Sequence, residues 1–142
     1  MTAQSQSMLS AARDRYFAWT GWGLSALVSA FLVLDSSVKI LGLVPSDAAA
    51  TLGWNSDPIT LRMLGFLLFF PTLLYLWPRT SVMGAIIVTG YLGGAVSTHL
   101  RIESPLYTHV LFGVYVGIFL WGGLYLRDAR IRALIPFSSS AD

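Results

Sequence analysis

The sequence predicts an all-α, integral membrane four-helix bundle with its N- and C-termini cytoplasmic. Three observations carry this. Of the 142 residues, 55% are apolar and only 11% charged, against roughly 25% charged in a soluble domain. A soluble chain this short leaves too much of its surface wet to hide that much apolar area. Next, the apolar residues gather into four runs, at about 19–44, 59–77, 81–100 and 106–126. Each is near the ~20 residues a helix needs to cross a hydrocarbon core, and each is too continuously apolar for an alternating barrel strand. Finally, the basic residues of the ends and connections gather on one side, with Arg101 of the third connection on the other. Arg13 and Arg15 precede the first run, Arg79 lies in the second connection, and Arg127, Arg130 and Arg132 follow the fourth run. An even number of spans puts these three regions together, and the positive-inside rule places them in the cytoplasm.

The elements follow in order. Residues 1–18 form a cytoplasmic N-terminal arm ahead of the first span. Arg13 and Arg15 before an apolar run resemble a signal peptide, but the run is long and no small-x-small cleavage pattern follows before Asp35, so it reads as a retained span. The connection from Pro45 to Pro58 carries Ser46, Asp47, Asn55, Ser56 and Asp57, which is loop chemistry. A tight turn at Trp77-Pro78-Arg79-Thr80 precedes the third span, with Ser81 as its expected cap. A second turn, Arg101-Ile102-Glu103-Ser104-Pro105, precedes the fourth span, where proline suits a first helical turn. Residues 127–142 form a cytoplasmic tail. The polar ends, Thr2 to Ser10 and Ser138 to Asp142, read as mobile. Trp19, Trp22, Trp77 and Tyr125 fall at an inner aromatic belt, and Trp54 at the outer interface. Pro71 should kink the second helix. The pairs Gly90/Gly94 and Gly113/Gly117 should let the third and fourth helices pack tightly.

Several chemistries are excluded at once. With no cysteine in the chain, disulfides, thiolate catalysis and thiolate metal sites cannot form. The net charge of +2 is spread over the ends of apolar runs, so no basic face for nucleic acid exists. No HxxxH or HExxH spacing occurs, and no metal site is expected. Neither a phosphate-cradling glycine loop nor a haem-attachment cysteine pair is present, so the cofactor is left unidentified and no residue is assigned as catalytic.

The informative residues are the polar ones within the spans. Asp35 and Lys39, four apart, share one face of the first helix. Arg62 opens the second span, and His99 closes the third, followed by Arg101 and Glu103. His109 lies in the first turns of the fourth. With the N-terminus inside, all of these fall at the outer side of the bilayer. A charge at a helix centre costs about 2.5–3.5 kcal/mol on insertion scales, so such residues face partners or water. Their convergence suggests an outward-opening polar pocket holding a ligand among Asp35, Lys39, Arg62, His99, Arg101 and His109. The plainer reading stands beside it: Asp35 and Lys39 neutralise one another, the arginines anchor at the interface, and the histidines join helices.

The segments Tyr75-Leu76-Trp77-Pro78-Arg79-Thr80 and Thr89-Gly90-Tyr91-Leu92-Gly93-Gly94-Ala95-Val96-Ser97-Thr98-His99-Leu100-Arg101 resemble the DoxX-like family of bacterial membrane proteins. Ser104-Pro105-Leu106-Tyr107-Thr108-His109-Val110-Leu111-Phe112 and Leu120-Trp121-Gly122-Gly123-Leu124-Tyr125-Leu126-Arg127-Asp128 continue the resemblance. Asp35 and Lys39 match the family's first-helix pattern. One departure is visible. Members often carry a glutamate in the second helix, where this chain has Leu68, and any activity transferred from relatives is in doubt to that extent. The resemblance implies a multi-pass protein of the bacterial inner membrane, associated with oxidoreductase systems.

Three functions remain open. The first is an accessory or ligand-binding subunit whose outer pocket holds a small lipophilic molecule such as a quinone. The alternative is a membrane enzyme using His/Asp proton transfer or assisting redox chemistry. The third is a structural or assembly protein without a ligand. Expected partners are the lipid bilayer, the lipophilic molecule, and a second copy of the chain or a membrane oxidoreductase, with no nucleic acid.

Overall fold

The computed structural model describes residues 3–45, 50–53 and 58–134. The expected loop residues Ser46, Asp47, Asn55, Ser56 and Asp57, the interfacial Trp54 and the end of the tail lie outside the described residues.

The described residues include the α-helices α1 Ala3–Ile40, α2 Pro58–Leu76, α3 Ser81–Arg101, α4 Phe112–Arg127 and α5 Ala129–Leu134, with a π-helical turn at Leu106–Val110 ahead of α4. Among the described residues four stretches are long and apolar enough to cross a membrane: Ala12–Ile40, Ile59–Leu76, Ser81–Arg101 and Leu106–Arg127. At 38 residues, α1 is about 57 Å long at 1.5 Å per residue, well beyond a ~30 Å hydrocarbon core. Its N-terminal part, residues 3–18, is the segment expected as a cytoplasmic arm, and it is helical. At the other end α1 stops at Ile40, four residues before the apolar run does, because Gly42 takes a left-handed backbone with φ +70°. That conformation suits glycine and ends a helix.

Each helix packs against its chain neighbour, and α4 returns to α1 to close a four-membered ring. The face of α1 turned inward is Gly21, Ser25, Val28, Ser29, Leu32 and Ser36, the three-and-four spacing of one helical stripe. Small residues let backbones approach in lipid, where apolar burial gives helices no preference for each other over acyl chains. Large apolar side chains such as Leu27, Phe66, Phe70, Ile86 and Ile118 point outward.

The closest approaches differ from the glycine pairs expected. A methyl group built on Gly84 of α3 would lie 2.7 Å from the Pro71 carbonyl oxygen and from the Tyr75 Cα of α2. One on Gly65 would lie 2.9 Å from the Ser36 carbonyl oxygen of α1, and one on Gly21 2.9 Å from the Gly123 carbonyl oxygen of α4. By contrast, nothing lies within 4 Å of such a group on Gly90 or Gly94; Gly113 alone among the expected pairs meets a neighbouring backbone closely, the Leu92 carbonyl oxygen at 3.2 Å. The tight hairpin is thus α2 with α3, and α3 and α4 join less closely. Pro71 sits within α2, which continues past it to Leu76.

Helix ends are tied by side chains. Thr80, not Ser81, precedes α3, and its hydroxyl donates to the Leu74 carbonyl at 2.8 Å rather than capping the helix. At the same end of the bundle Arg132 donates to the Leu126 carbonyl at 2.6 Å, answering a free α4 terminus. Asp128 starts α5: its Oδ1 accepts the Arg130 backbone N–H at 2.9 Å, and its Oδ2 pairs with the Arg130 guanidinium at 2.8 Å. The Arg130 side chain's hydrogen bond, above all, holds the Asp128 carboxyl below its ordinary value of 3.8. A carboxylate favoured in the folded state adds stability that is fully present above the ordinary value and lost as pH falls through the lowered one. The thermal midpoint in detergent should therefore separate wild type from Asp128→Asn above pH 3.8, and the two curves should converge in more acid solution. A gap that is unchanged across that range would show that Asp128 does not act through its charge.

Candidate functional site

A cavity of about 570 Å³ lies among the four helices toward the end away from the chain termini. Most of its wall is apolar: Leu32 from α1, Leu61, Leu64 and Leu68 from α2, and Leu92 from α3. Phe31 and Phe112 meet edge to face across the α1–α4 seam, with ring centroids 5.4 Å apart. Gly90 and Gly94 open the space. They line it, and the room where their side chains would stand is empty.

Four of the six residues singled out in the sequence, Asp35, Lys39, His99 and His109, line this cavity. Asp35 and Lys39 form an ion pair one helical turn apart, as their spacing requires. The pair is not sealed off: the Asp35 side chain retains 36% of its exposure and Lys39 19%. His99 and His109 face one another with ring centroids 5.7 Å apart. Each ring is held through Nδ1, His99 by the Ser104 hydroxyl at 3.0 Å and His109 by the Thr108 hydroxyl at 2.8 Å. Nε2 is then the ring nitrogen left for another partner.

The local backbone explains the meeting of the two rings. After α3 the chain reverses through Glu103, whose φ of 54° is left-handed, and Ser104 N–H returns to the His99 carbonyl at 3.0 Å. The π-helical turn follows, with Leu111 N–H bonding the Leu106 carbonyl five residues back at 2.9 Å. A wider turn adds rotation that an α-helix lacks, and such turns recur at functional sites. The fourth span was expected as one uninterrupted α-helix, and this turn is the difference.

Arg62 and Arg101 stand apart, and neither lines the cavity. The guanidinium of Arg62 lies beside Gly42 and that of Arg101 beside Gly53, both left-handed glycines of the first connection. Their long side chains reach past the helix ends and lie over the loop. Sequence reasoning also missed residues that do line the cavity, chiefly Tyr91 and Thr98. The signal was available: Ile87, Tyr91, Ala95 and Thr98 fall on one stripe of α3. Leu68 is 1% exposed and also faces this space. Among the described residues no group of three or more His, Cys, Asp or Glu is placed to hold a metal ion.

A second polar cluster sits at the opposite end, where the termini lie. The Arg127 guanidinium is stacked between Trp22, 4.5 Å from the ring centroid, and Tyr75, 4.6 Å away. Tyr75 is fully buried; its hydroxyl donates to the Leu120 carbonyl at 2.8 Å and so receives the Ser25 hydroxyl, also at 2.8 Å.

A family model described as the DoxX-like family matches residues 23–123, which takes in the second and third spans whole, most of the first and fourth, and every residue found lining the central cavity. No curated protein and no solved structure matches the chain.

Proposed function

We propose that this multi-pass membrane protein, which belongs to the DoxX-like family, holds a small lipophilic molecule with an oxygen-bearing head, such as a quinone, among its four helices. The observation that supports the reading is the composition of the cavity wall. At about 570 Å³ the cavity falls within the range that small-molecule sites occupy. Its body is hydrocarbon, and its polar groups gather where α1, α3 and the π-helical turn meet. Two imidazoles with Nε2 to spare, beside a lysine–aspartate pair, suit a carbonyl or hydroxyl oxygen. Leu68 gives the opposite wall an apolar face.

In this reading the protein is an accessory or carrier subunit of the bacterial inner membrane, with its termini cytoplasmic and the polar end of the cavity toward the outer face. A membrane oxidoreductase is the partner that would use such a ligand. The test is mass spectrometry of small molecules retained after gentle purification from native membrane, with a Lys39→Ala, His99→Ala variant prepared alongside. A defined lipophile is expected with wild type, and roughly a tenfold loss or more in the variant, since each hydrogen bond to a charged or buried group is worth about 1–3 kcal/mol. Identical, non-specific lipid profiles would overturn the reading.

A further inference from the structure

We infer that the central cavity opens sideways into the bilayer between α2 and α3, and that its ligand carries a hydrocarbon tail which leaves through that seam into lipid. This rests on the proposed function and adds to it the class of ligand and its route.

The four seams of the bundle differ at the level of the cavity. Between α1 and α2 the backbones nearly touch: a methyl group on Gly65 would lie 2.9 Å from the Ser36 carbonyl oxygen. Between α3 and α4, one on Gly113 would lie 3.2 Å from the Leu92 carbonyl oxygen. Between α4 and α1 the rings of Phe31 and Phe112 meet edge to face. The α2–α3 seam is the exception. It is tight at Gly84, against Pro71 and Tyr75, and it parts beyond that point. Ile87, Gly90 and Gly94 continue the stripe of α3 that Gly84 begins, at three-and-four spacing. Among the described residues nothing lies within 4 Å of a methyl group built on Gly90 or Gly94. Leu67 and Leu64 continue the facing stripe of α2 from Pro71.

These leucines, the isoleucine and both glycines line the cavity, and they are open on the outside as well. Leu67 retains 54% of its exposure and Ile87 38%, whereas Leu68 and Leu92, which line the same cavity, retain 1% and 8%. Lining the cavity does not by itself expose a side chain, so the exposure of Leu67 and Ile87 marks a rim.

The depth and chemistry of the rim say what passes it. Residues 87–94 are the middle of α3, which runs from Ser81 to Arg101, so the gap stands at the depth of acyl chains rather than of headgroups. Leucine, isoleucine and glycine offer no polar side chain to desolvate there. A hydrocarbon tail passes from such a wall to lipid without leaving apolar surroundings. At about 570 Å³ the cavity suits a drug-sized molecule. It holds a ring and the start of a tail, with the polar head at His99, His109 and the Asp35–Lys39 pair, and the seam is the way out for the rest.

The test uses two probes with the same benzoquinone head, one with a short alkyl tail and one with a long polyisoprenoid tail. Each is added to the purified full chain in neutral detergent, and retention is read by native mass spectrometry. Wild type should retain the long-tailed probe at least as well as the short-tailed one. Because the chain has no cysteine, Leu64→Cys with Gly94→Cys places thiols on the two sides of the seam alone. Bridging them with a reducible bis-thiosulfonate linker before the probe is added should lower retention of the long-tailed probe roughly tenfold or more, the scale of a steric clash. The short-tailed probe should be unaffected, and reduction should restore the long-tailed one. The wild-type comparison carries the test alone should the double variant not fold. Exclusion of the long-tailed probe by wild type while the short-tailed one is held, or a bridge that does not discriminate between the tails, would overturn the lateral route and leave the proposed function standing. If wild type holds neither probe, the proposed function itself fails and the route falls with it.

Discussion

Gly84→Ala is expected to keep the bundle from closing. The added methyl group would stand 2.7 Å from both the Pro71 carbonyl oxygen and the Tyr75 Cα, well inside van der Waals contact, and the obstructing atoms are backbone. No rotamer change relieves such an overlap. Either α2 and α3 move apart or the backbone of α2 deforms, and Pro71 already limits deformation there by fixing φ. Separation is no easier, because Tyr75 is anchored to Ser25 and Leu120 at 2.8 Å each and carries the α1–α4 seam with it. Overpacking a core costs about 1–3 kcal/mol and occasionally more; a backbone-to-backbone overlap belongs at or beyond the upper end. Detergent-solubilised Gly84→Ala should therefore lose its cooperative thermal transition or elute as aggregate. Gly23→Ala, where nothing lies within 4 Å, should behave as wild type. A Gly84→Ala protein as stable as wild type would refute the assignment of the α2–α3 approach to this residue.

That contrast shows what the sequence could and could not disclose. The spans were legible because lipid forces each crossing segment to satisfy its own backbone and to be apolar all round. Composition alone then locates them, and α2 and α3 lie within a residue or so of the expected bounds. The partners of each glycine were not legible. A GxxxG spacing says that two glycines share a face, not which way the face is turned. Gly90 and Gly94 share a face that looks into the cavity, while the lone Gly84 takes the close contact. Rotation of a helix about its axis is fixed by all its neighbours together, and no local pattern encodes it.

The same distinction divides the candidate site. Asp35 and Lys39 had to meet because four residues make about one turn. His99 and His109 were placed at one end of the bundle by their positions in the spans, and the left-handed Glu103 and the π-helical turn bring their rings together at a tilt of 60°. Arg62 and Arg101 shared that level yet lie over the first connection, since a long side chain at a helix end reaches as readily outward as inward. Arg127 was legible only as a marker of orientation. Its place between Trp22 and Tyr75 depends on residues more than fifty and a hundred positions away along the chain.

Gly90→Leu is expected to abolish retention of the lipophilic ligand while leaving the bundle folded. Gly90 lines the central cavity, and nothing lies within 4 Å of the point where its Cβ would stand, so the new side chain meets open space rather than protein. Replacing a mid-helix glycine also removes a helix penalty of about 1 kcal/mol, so the thermal midpoint should hold or rise. The ligand would lose both the volume and the apolar contacts at that wall. Affinity should fall by roughly tenfold to a hundredfold, the equivalent of about 1.5–3 kcal/mol for a buried apolar side chain's worth of contact. Gly93→Leu separates this from any general effect of a bulky residue in α3: Gly93 also has open space around it but does not line the cavity. Retained ligand measured by mass spectrometry should therefore rank wild type and Gly93→Leu together, with Gly90→Leu far below. If all three retain the same lipophile equally, the molecule sits elsewhere. The polar groups of Asp35, Lys39, His99 and His109 would then be explained by their bonds to one another and to Ser104 and Thr108. A stable Gly90→Leu protein that has lost its ligand would fix the binding place by volume alone, independently of any change to those charged and imidazole groups, and so would separate the location of the site from its chemistry.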